Sequence, residues 1–274
     1  MNRFGNEMQE GEKMLPQEIA VQKITESLIR DPFIKAVFLK GSMGRNEHDE
    51  HSDIDLYCLV DGKDEKAFLN NRKAHLESYR PIIFEDDIFI IAPQLIAVFD
   101  DLLHMDLFTV TAESFTKKDF FKVLYDPHGA MEEFKESQSL TISPQEFKDA
   151  VIDVAWFMFQ YKKAAARGND VWASRMLTNS IDHVARVLMH KYKPDRAQLG
   201  LKAMSTALPN EVKEDLAALL ETITPNRHRD AVVRLSNLLH NEMEWIIEKL
   251  EGDTQTEELL RRMVEWHLPI KGKI

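Results

Sequence analysis

Residues 38–60 read FLKGSMGRNEHDEHSDIDLYCLV, and the fold turns on how the last eight, DIDLYCLV, are taken. Aspartate is among the residues least suited to a strand, yet the run from Ile54 onward alternates as a strand should. Side chains two apart on a strand share a face. Asp53, Asp55 and Tyr57 therefore line one face, while Ile54, Leu56 and Cys58 line the other. The second face reads as core. Two like charges held so close repel, and a cation between them relieves the repulsion. Hard oxygen donors of this kind suit Mg²⁺.

Working outward, IKAVFLKG before this stretch reads as a strand, and LPQEIAVQKITESLIRD (15–31) as a helix carrying Ile19, Ile24 and Leu28 at helical spacing. DEKAFLNNRKAHLESYR (64–80) reads as a second helix, and IFIIAP, LIAVFD and LHMDLFTVTA as three further strands. FFKVLYDP holds a short strand or a strand end. From Ser143 the texture changes: SPQE combines a capping box with Pro in the first turn. All that follows reads as helical, with further starts at TPNR and TQTE and breaks at RGND and KYKPD. The expected fold class is α+β, a mixed β-sheet with helices followed by an all-helical half, joined near residues 135–143.

The 274 residues are 44% hydrophobic and 30% charged, a globular composition. No run is long and apolar enough for a membrane span or a secretory core, so a cytoplasmic protein is expected. The single cysteine, Cys58, suits a reducing compartment and reads as packing. A net charge of −11 argues against nucleic acid or an anionic membrane as partner. A cationic small molecule is the better electrostatic match, and the oligomeric state is left open.

Gly41 and Ser42 follow the first strand. A residue without a side chain lets backbone amides approach a phosphate, and the serine hydroxyl adds a donor. Arg45 adds a permanent positive charge nearby. Phosphate donors and metal ligands thus arrive together, as a nucleoside triphosphate bound through its metal requires. Asp106, inside the apolar run LLHMDLFTV, is costly unless paired or metal-bound. It shares a face with His104 and Phe108, and His104 reads as an ordinary strand histidine.

GSMGR followed by SDIDL resembles the glycine-serine and aspartate-x-aspartate signature of the DNA polymerase β-like nucleotidyltransferase superfamily, with Asp106 at its third acidic position. Chain size and the helical second half are similar to the small antibiotic nucleotidyltransferases that act on lincosamides and aminoglycosides. The resemblance implies a nucleotidyltransferase domain over 1–140 and a helical substrate-binding and nucleotide-closing domain over 141–274. It implies Asp53, Asp55 and Asp106 as catalytic metal ligands, with Gly41 and Ser42 gripping the phosphates. Mg²⁺ and ATP, or another nucleoside triphosphate, are the implied cofactor and co-substrate, and a small hydroxylated acceptor receives the monophosphate. An alternative is an antitoxin-like enzyme that adenylylates a protein; a further one is a non-catalytic nucleotide-binding regulator. Retention of three acidic positions speaks against the regulator, and the length of the helical half against the small antitoxin form.

In that half, Lys162, Lys163, Arg167 and Arg175 are candidates to close over the phosphates, with Lys162 and Arg175 expected as nucleotide contacts. Trp156, Phe157, Phe159 and Trp172 read as core or interdomain packing rather than a base-stacking platform. Arg175, Asp182, His183 and Arg186 follow near-helical steps that a buried polar network explains as well as an active site does. The acidic groups FEDD (84–87) and FDD (99–101) are expected around a hairpin, where they would draw a cationic acceptor. Any one of these carboxylates is a candidate general base, Glu85 among them, and EHDEH (47–51) reads as a solvated loop.

Overall fold

The computed structural model describes residues 14–268. The chain divides into two compact units, one ending at Ser139 and the other beginning at Leu140. In the first, α1 (Pro16–Leu28), β1 (Ile34–Leu39), the single turn α2 (Gly41–Gly44), β2 (Ile54–Val60), α3 (Glu65–Leu76), β3 (Ile82–Phe89), β4 (Pro93–Phe99), β5 (His104–Val110) and β6 (Lys122–Tyr125) follow in order. The strands form one sheet, β3-β4-β5-β2-β1-β6. β2 and β5 run parallel, and the other neighbours are antiparallel.

The alternation read from DIDLYCLV places two different cores on the sheet. Ile54, Leu56 and Cys58 join Val37, Leu39, Met105 and Leu107 beneath α1 and α3. Tyr57 and Leu59 join Ala36, Phe38, Phe108 and Val110 on the opposite face, covered by Phe115 and Phe121 from the segment between β5 and β6 and by Phe134 from beyond β6. Buried aromatic and β-branched side chains on both faces are what holds a central strand in place. α1 turns Ala20, Ile24 and Leu28 into the core and leaves Ile19 exposed.

β3 differs from its expected form. The strand begins at Ile82 and contains the acidic run, while Ile90–Ala92 makes the turn into β4. Charge tolerates this position because β3 is a sheet edge, where acidic side chains also discourage pairing with another strand. Arg72 of α3 pairs with Asp87, and Lys73 with Glu85 at 2.7 Å.

The second unit holds α4 (Pro144–Ala166), α5 (Asp170–Tyr192), α6 (Leu201–Ala207), α7 (Asn210–Leu220), α8 (His228–Lys249) and α9 (Thr254–His267). The capping box is formed: Glu146 N donates to Ser143 Oγ at 3.2 Å, and Ser143 N donates to the Glu146 carboxylate at 2.9 Å. α4 and α5 make a hairpin through Gly168, whose φ of +68° needs no side chain to be strained. Their inner faces pack Phe147, Met158, Leu177, Ile181 and Leu188 against Leu235 and Leu239 of α8. The TPNR turn precedes α8 by a few residues, since the helix starts at His228.

Two expectations for this unit are corrected. Trp156 and Trp172 are not core, being 47% and 53% exposed. The polar steps along α5 do not form one buried network. His183 pairs with Asp153 at 3.4 Å and stacks on Phe157, while Arg175 is exposed. A polar chain that starts in the core instead runs Tyr161–His228–Asp170 and ends at the half-exposed Asp170, with Tyr161 Oη 2.9 Å from His228 Nδ1 and His228 Nε2 3.1 Å from Asp170 Oδ1.

Candidate active site

β1 ends at Leu39, but its pairing with β2 continues one residue further, because Lys40 N donates to Asp55 O at 3.0 Å. That bond sets Gly41 beside Asp55. Gly41 has φ +61°, and a β-carbon there would lie 2.0 Å from Asp55 Oδ2. Only glycine satisfies both constraints. The chain then makes one helical turn, closed by Gly44 N to Lys40 O at 2.9 Å and Arg45 N to Gly41 O at 3.2 Å. Gly44 is equally confined, since a β-carbon would meet Leu39 O at 2.8 Å. Within this turn the Ser42 hydroxyl oxygen is buried and has no hydrogen-bond partner among the described residues. Buried polar atoms are rarely left so, and an oxygen acceptor supplied by a ligand would satisfy it.

The register of β2 on β5 assembles the acidic groups. Asp55 stands directly opposite Asp106, and Ile54 opposite Met105, which brings Asp53 alongside His104. Below this array Tyr57 stacks between Phe38 and Phe108, with ring centroids 5.2 and 4.4 Å away, an apolar floor under the carboxylates. Burial, then the charges of Asp55, Asp119 and Asp106, push the Tyr57 phenol up from its ordinary range. Ligand atoms of Asp53, His104 and Asp106 all lie within 4.8 Å of one another, and His104 Nε2 is 3.2 Å from Asp106 Oδ1. The Asp55 carboxylate is turned toward Gly41. Carboxylate oxygens in this concentration fit a hard divalent cation.

Three features of the site carry no clear signal in the sequence. Gln17 of α1, only 1% exposed, donates its amide to the carbonyls of Asp49, Glu50 and Ser52 at 3.2, 3.1 and 2.9 Å. The loop leading to Asp53 is thereby pinned rather than free in solvent. Lys40 is buried, with Nζ 2.9 Å from both Thr116 O and Lys118 O and above the Phe115 and Tyr57 rings. Burial brings its pKa down to about 8, with Asp119 and Asp55 opposing. Arg45 Nη1 donates to both oxygens of Asp119, at 2.9 and 2.8 Å, Phe120 N donates to Asp119 Oδ1 at 2.7 Å, and Arg45 Nε donates to Glu47 at 2.9 Å. Arg45 is thus held by two carboxylates beside the glycine-serine turn.

A cavity of about 570 Å³ opens next to Asp53 and His104, lined also by Gln17, Glu50, Ser52 and Leu102. On the other flank, register places Asp86 in one row with Ile96, Asp106 and Asp55. Glu85 and Asp87 are aligned with Ala97 and Leu95, which belong to the core under α3. Glu85 therefore faces away from Asp106, which removes it as the general base; Asp86 is the member of that run on the site's face. Lys162 and Arg175 lie in the helical unit, Lys162 with Nζ 3.3 Å from the centre of the Trp266 ring and Arg175 exposed on α5.

Residues 22–98 match the family described as Polymerase beta, Nucleotidyltransferase. The match includes Gly41, Ser42, Asp53 and Asp55, while His104 and Asp106 follow it. No curated protein matches the sequence. Among solved structures, an aminoglycoside 6-adenyltransferase from Bacillus subtilis is similar at 14% identity and a TM-score of 0.35, over 93% of this chain and 99% of that one. A nucleotidyltransferase-like protein from Exiguobacterium sibiricum is similar at 11% identity and a TM-score of 0.39, over 91% and 90%. The CD-NTase CdnG of Bradyrhizobium diazoefficiens, in complex with GTP, is similar at 12% identity and a TM-score of 0.30, over 93% and 86%. No helix among the described residues is long and apolar enough to cross a membrane.

Proposed function

We propose that this protein is a nucleotidyltransferase that transfers AMP from ATP, with Mg²⁺, to a hydroxyl of a small cationic acceptor, a reading supported by the match of residues 22–98 to the family described as Polymerase beta, Nucleotidyltransferase. Aminoglycosides and lincosamides are the acceptor class. The observation that carries the reading is the array in which Asp55 faces Asp106 across β2 and β5 while Gly41 presses on Asp55. The glycine-serine turn and two carboxylates are thereby set side by side, which supports the reading.

Asp53, Asp55 and Asp106 would hold the metal. Once bound, the ion offsets charge on the phosphate oxygens and on the departing pyrophosphate. Gly41 lets the chain approach the phosphates, and Ser42 Oγ donates to one of them. Lys162 and Arg175 stay in the proposal as cations for the triphosphate. The acceptor hydroxyl attacks the α phosphorus, its proton passes to a carboxylate of the acidic face, and the bond to pyrophosphate breaks. On the acceptor's side, Asp86 offers a charge for an amine, beside Phe84 and Ile96. Phe84 is 56% exposed, so this shelf is open to a ligand with both apolar and cationic parts.

The test incubates the protein with Mg²⁺, each α-labelled nucleoside triphosphate, and a panel of aminoglycosides, lincosamides and cellular proteins. Labelled AMP on an amine-bearing small molecule is the expected product. Label on protein alone would overturn the acceptor assignment, and metal-dependent nucleotide binding without any transfer would overturn catalysis.

A further inference from the structure

The metal-binding array contains a residue that a purely carboxylate site does not need. His104 opens β5, shares a face with Asp106, and lies level with Asp53 because Ile54 pairs with Met105. Its Nε2 and one oxygen from each of Asp53 and Asp106 fall within 4.8 Å of one another, a convergence that one cation can bridge. Asp55, in contrast, directs its carboxylate at Gly41. The His104 side chain is 40% exposed and that of Asp106 is 14% exposed, so the imidazole is reachable by an ion from solvent.

We propose that His104 is a direct nitrogen ligand of the divalent cation in this site, and that it shifts the site's preference from Mg²⁺ toward Mn²⁺. The proposal rests on the nucleotidyltransferase reading for the site's use but on geometry for the ligand. Mg²⁺ favours oxygen donors and dehydrates reluctantly. An imidazole among carboxylates raises affinity for first-row transition ions over Mg²⁺. The competing arrangement has His104 outside the coordination shell, hydrogen-bonded only to Asp106 across the 3.2 Å contact, where it would orient that ligand without choosing the metal.

Pulsed electron paramagnetic resonance on the full chain with Mn²⁺ alone separates the two. The wild-type protein is expected to show the nitrogen-14 modulation of a directly bound imidazole, and His104→Asn to lose it. In parallel, metal titrations should show Mn²⁺ affinity falling about tenfold in His104→Asn with Mg²⁺ affinity changed less than about twofold. Absence of nitrogen modulation in the wild type, or an unchanged Mn²⁺ to Mg²⁺ ratio in the variant, overturns the proposal. Nitrogen coupling without nucleotidyl transfer to any acceptor leaves His104 a ligand and removes the catalytic reading; transfer without nitrogen coupling does the reverse.

Discussion

Gly41 and Asp55 are in such close apposition that even a methyl group on Gly41 would lie 2.0 Å from the carboxylate oxygen of Asp55. The strand end, the glycine-serine turn and the Asp55 carboxylate therefore form one mechanical unit. Gly41→Ala must both adopt φ +61°, unfavourable by roughly 1–2 kcal/mol for a residue with a β-carbon, and displace Asp55. Transfer should fall at least about 100-fold, as a misplacement of about 1 Å at a reacting centre can produce. Circular dichroism should stay near wild type; full activity in this variant would contradict the packing.

Ser42→Ala separates ligand binding from folding. Because the hydroxyl oxygen is buried without a protein partner, its removal should leave the melting temperature unchanged or slightly raised. A hydrogen bond to a charged group is worth roughly 1.5–3 kcal/mol, so KM for ATP should rise about tenfold or more, with kcat less affected. A loss of stability with unchanged KM would show that the hydroxyl serves the fold.

Gln17→Met keeps side-chain bulk and deletes the donor shared by three loop carbonyls. Stability should drop by about 1–3 kcal/mol. Since the released loop ends at Asp53, the apparent metal requirement should rise and kcat should fall more than KM for ATP. Equal transfer at all metal concentrations would limit Gln17 to stability.

Lys40 supplies a pH signature. Folded, its pKa is brought down to about 8 by burial, from 10.5. Between those values the unfolded chain holds the proton more often than the folded one, and stability rises with pH wherever that is so. The unfolding free energy of wild type relative to Lys40→Met should therefore increase from about pH 8 toward 10, by at most about 1.4 kcal/mol per pH unit. Urea titrations at several pH values measure it, and a flat or falling difference contradicts the burial of this ammonium.

The parts of the fold written in local pattern were legible from the sequence. Alternation in DIDLYCLV assigns Leu56 and Cys58 to one core and Tyr57 to the other. Ser143 and Glu146 mark the start of α4 with a capping box that forms as read. What depended on pairing was not legible. No property of the segment around His104 announces that it lies beside Asp53, because that follows from the parallel register of two strands about fifty residues apart. Nor does the acidic run in β3 look like a strand until Arg72 and Lys73 of α3 are seen to neutralise its inner side. Gln17 acts across more than thirty residues, and Lys40 owes its lowered pKa to burial at a place where its ammonium bonds the distant carbonyls of Thr116 and Lys118. Trp156 and Trp172, read as core or interdomain packing, are exposed because they fall outside the buried stripes of α4 and α5.

Transfer of α-labelled AMP by the wild-type protein and by Asp53→Asn with Asp55→Asn, at saturating Mg²⁺ and acceptor, bears most directly on the central claim. Both substitutions preserve size and remove charge from the array beside Gly41. The account predicts transfer by the wild type and a loss of at least about 1,000-fold in the double variant, with the melting temperature preserved. Unchanged transfer after removal of both carboxylates would contradict it.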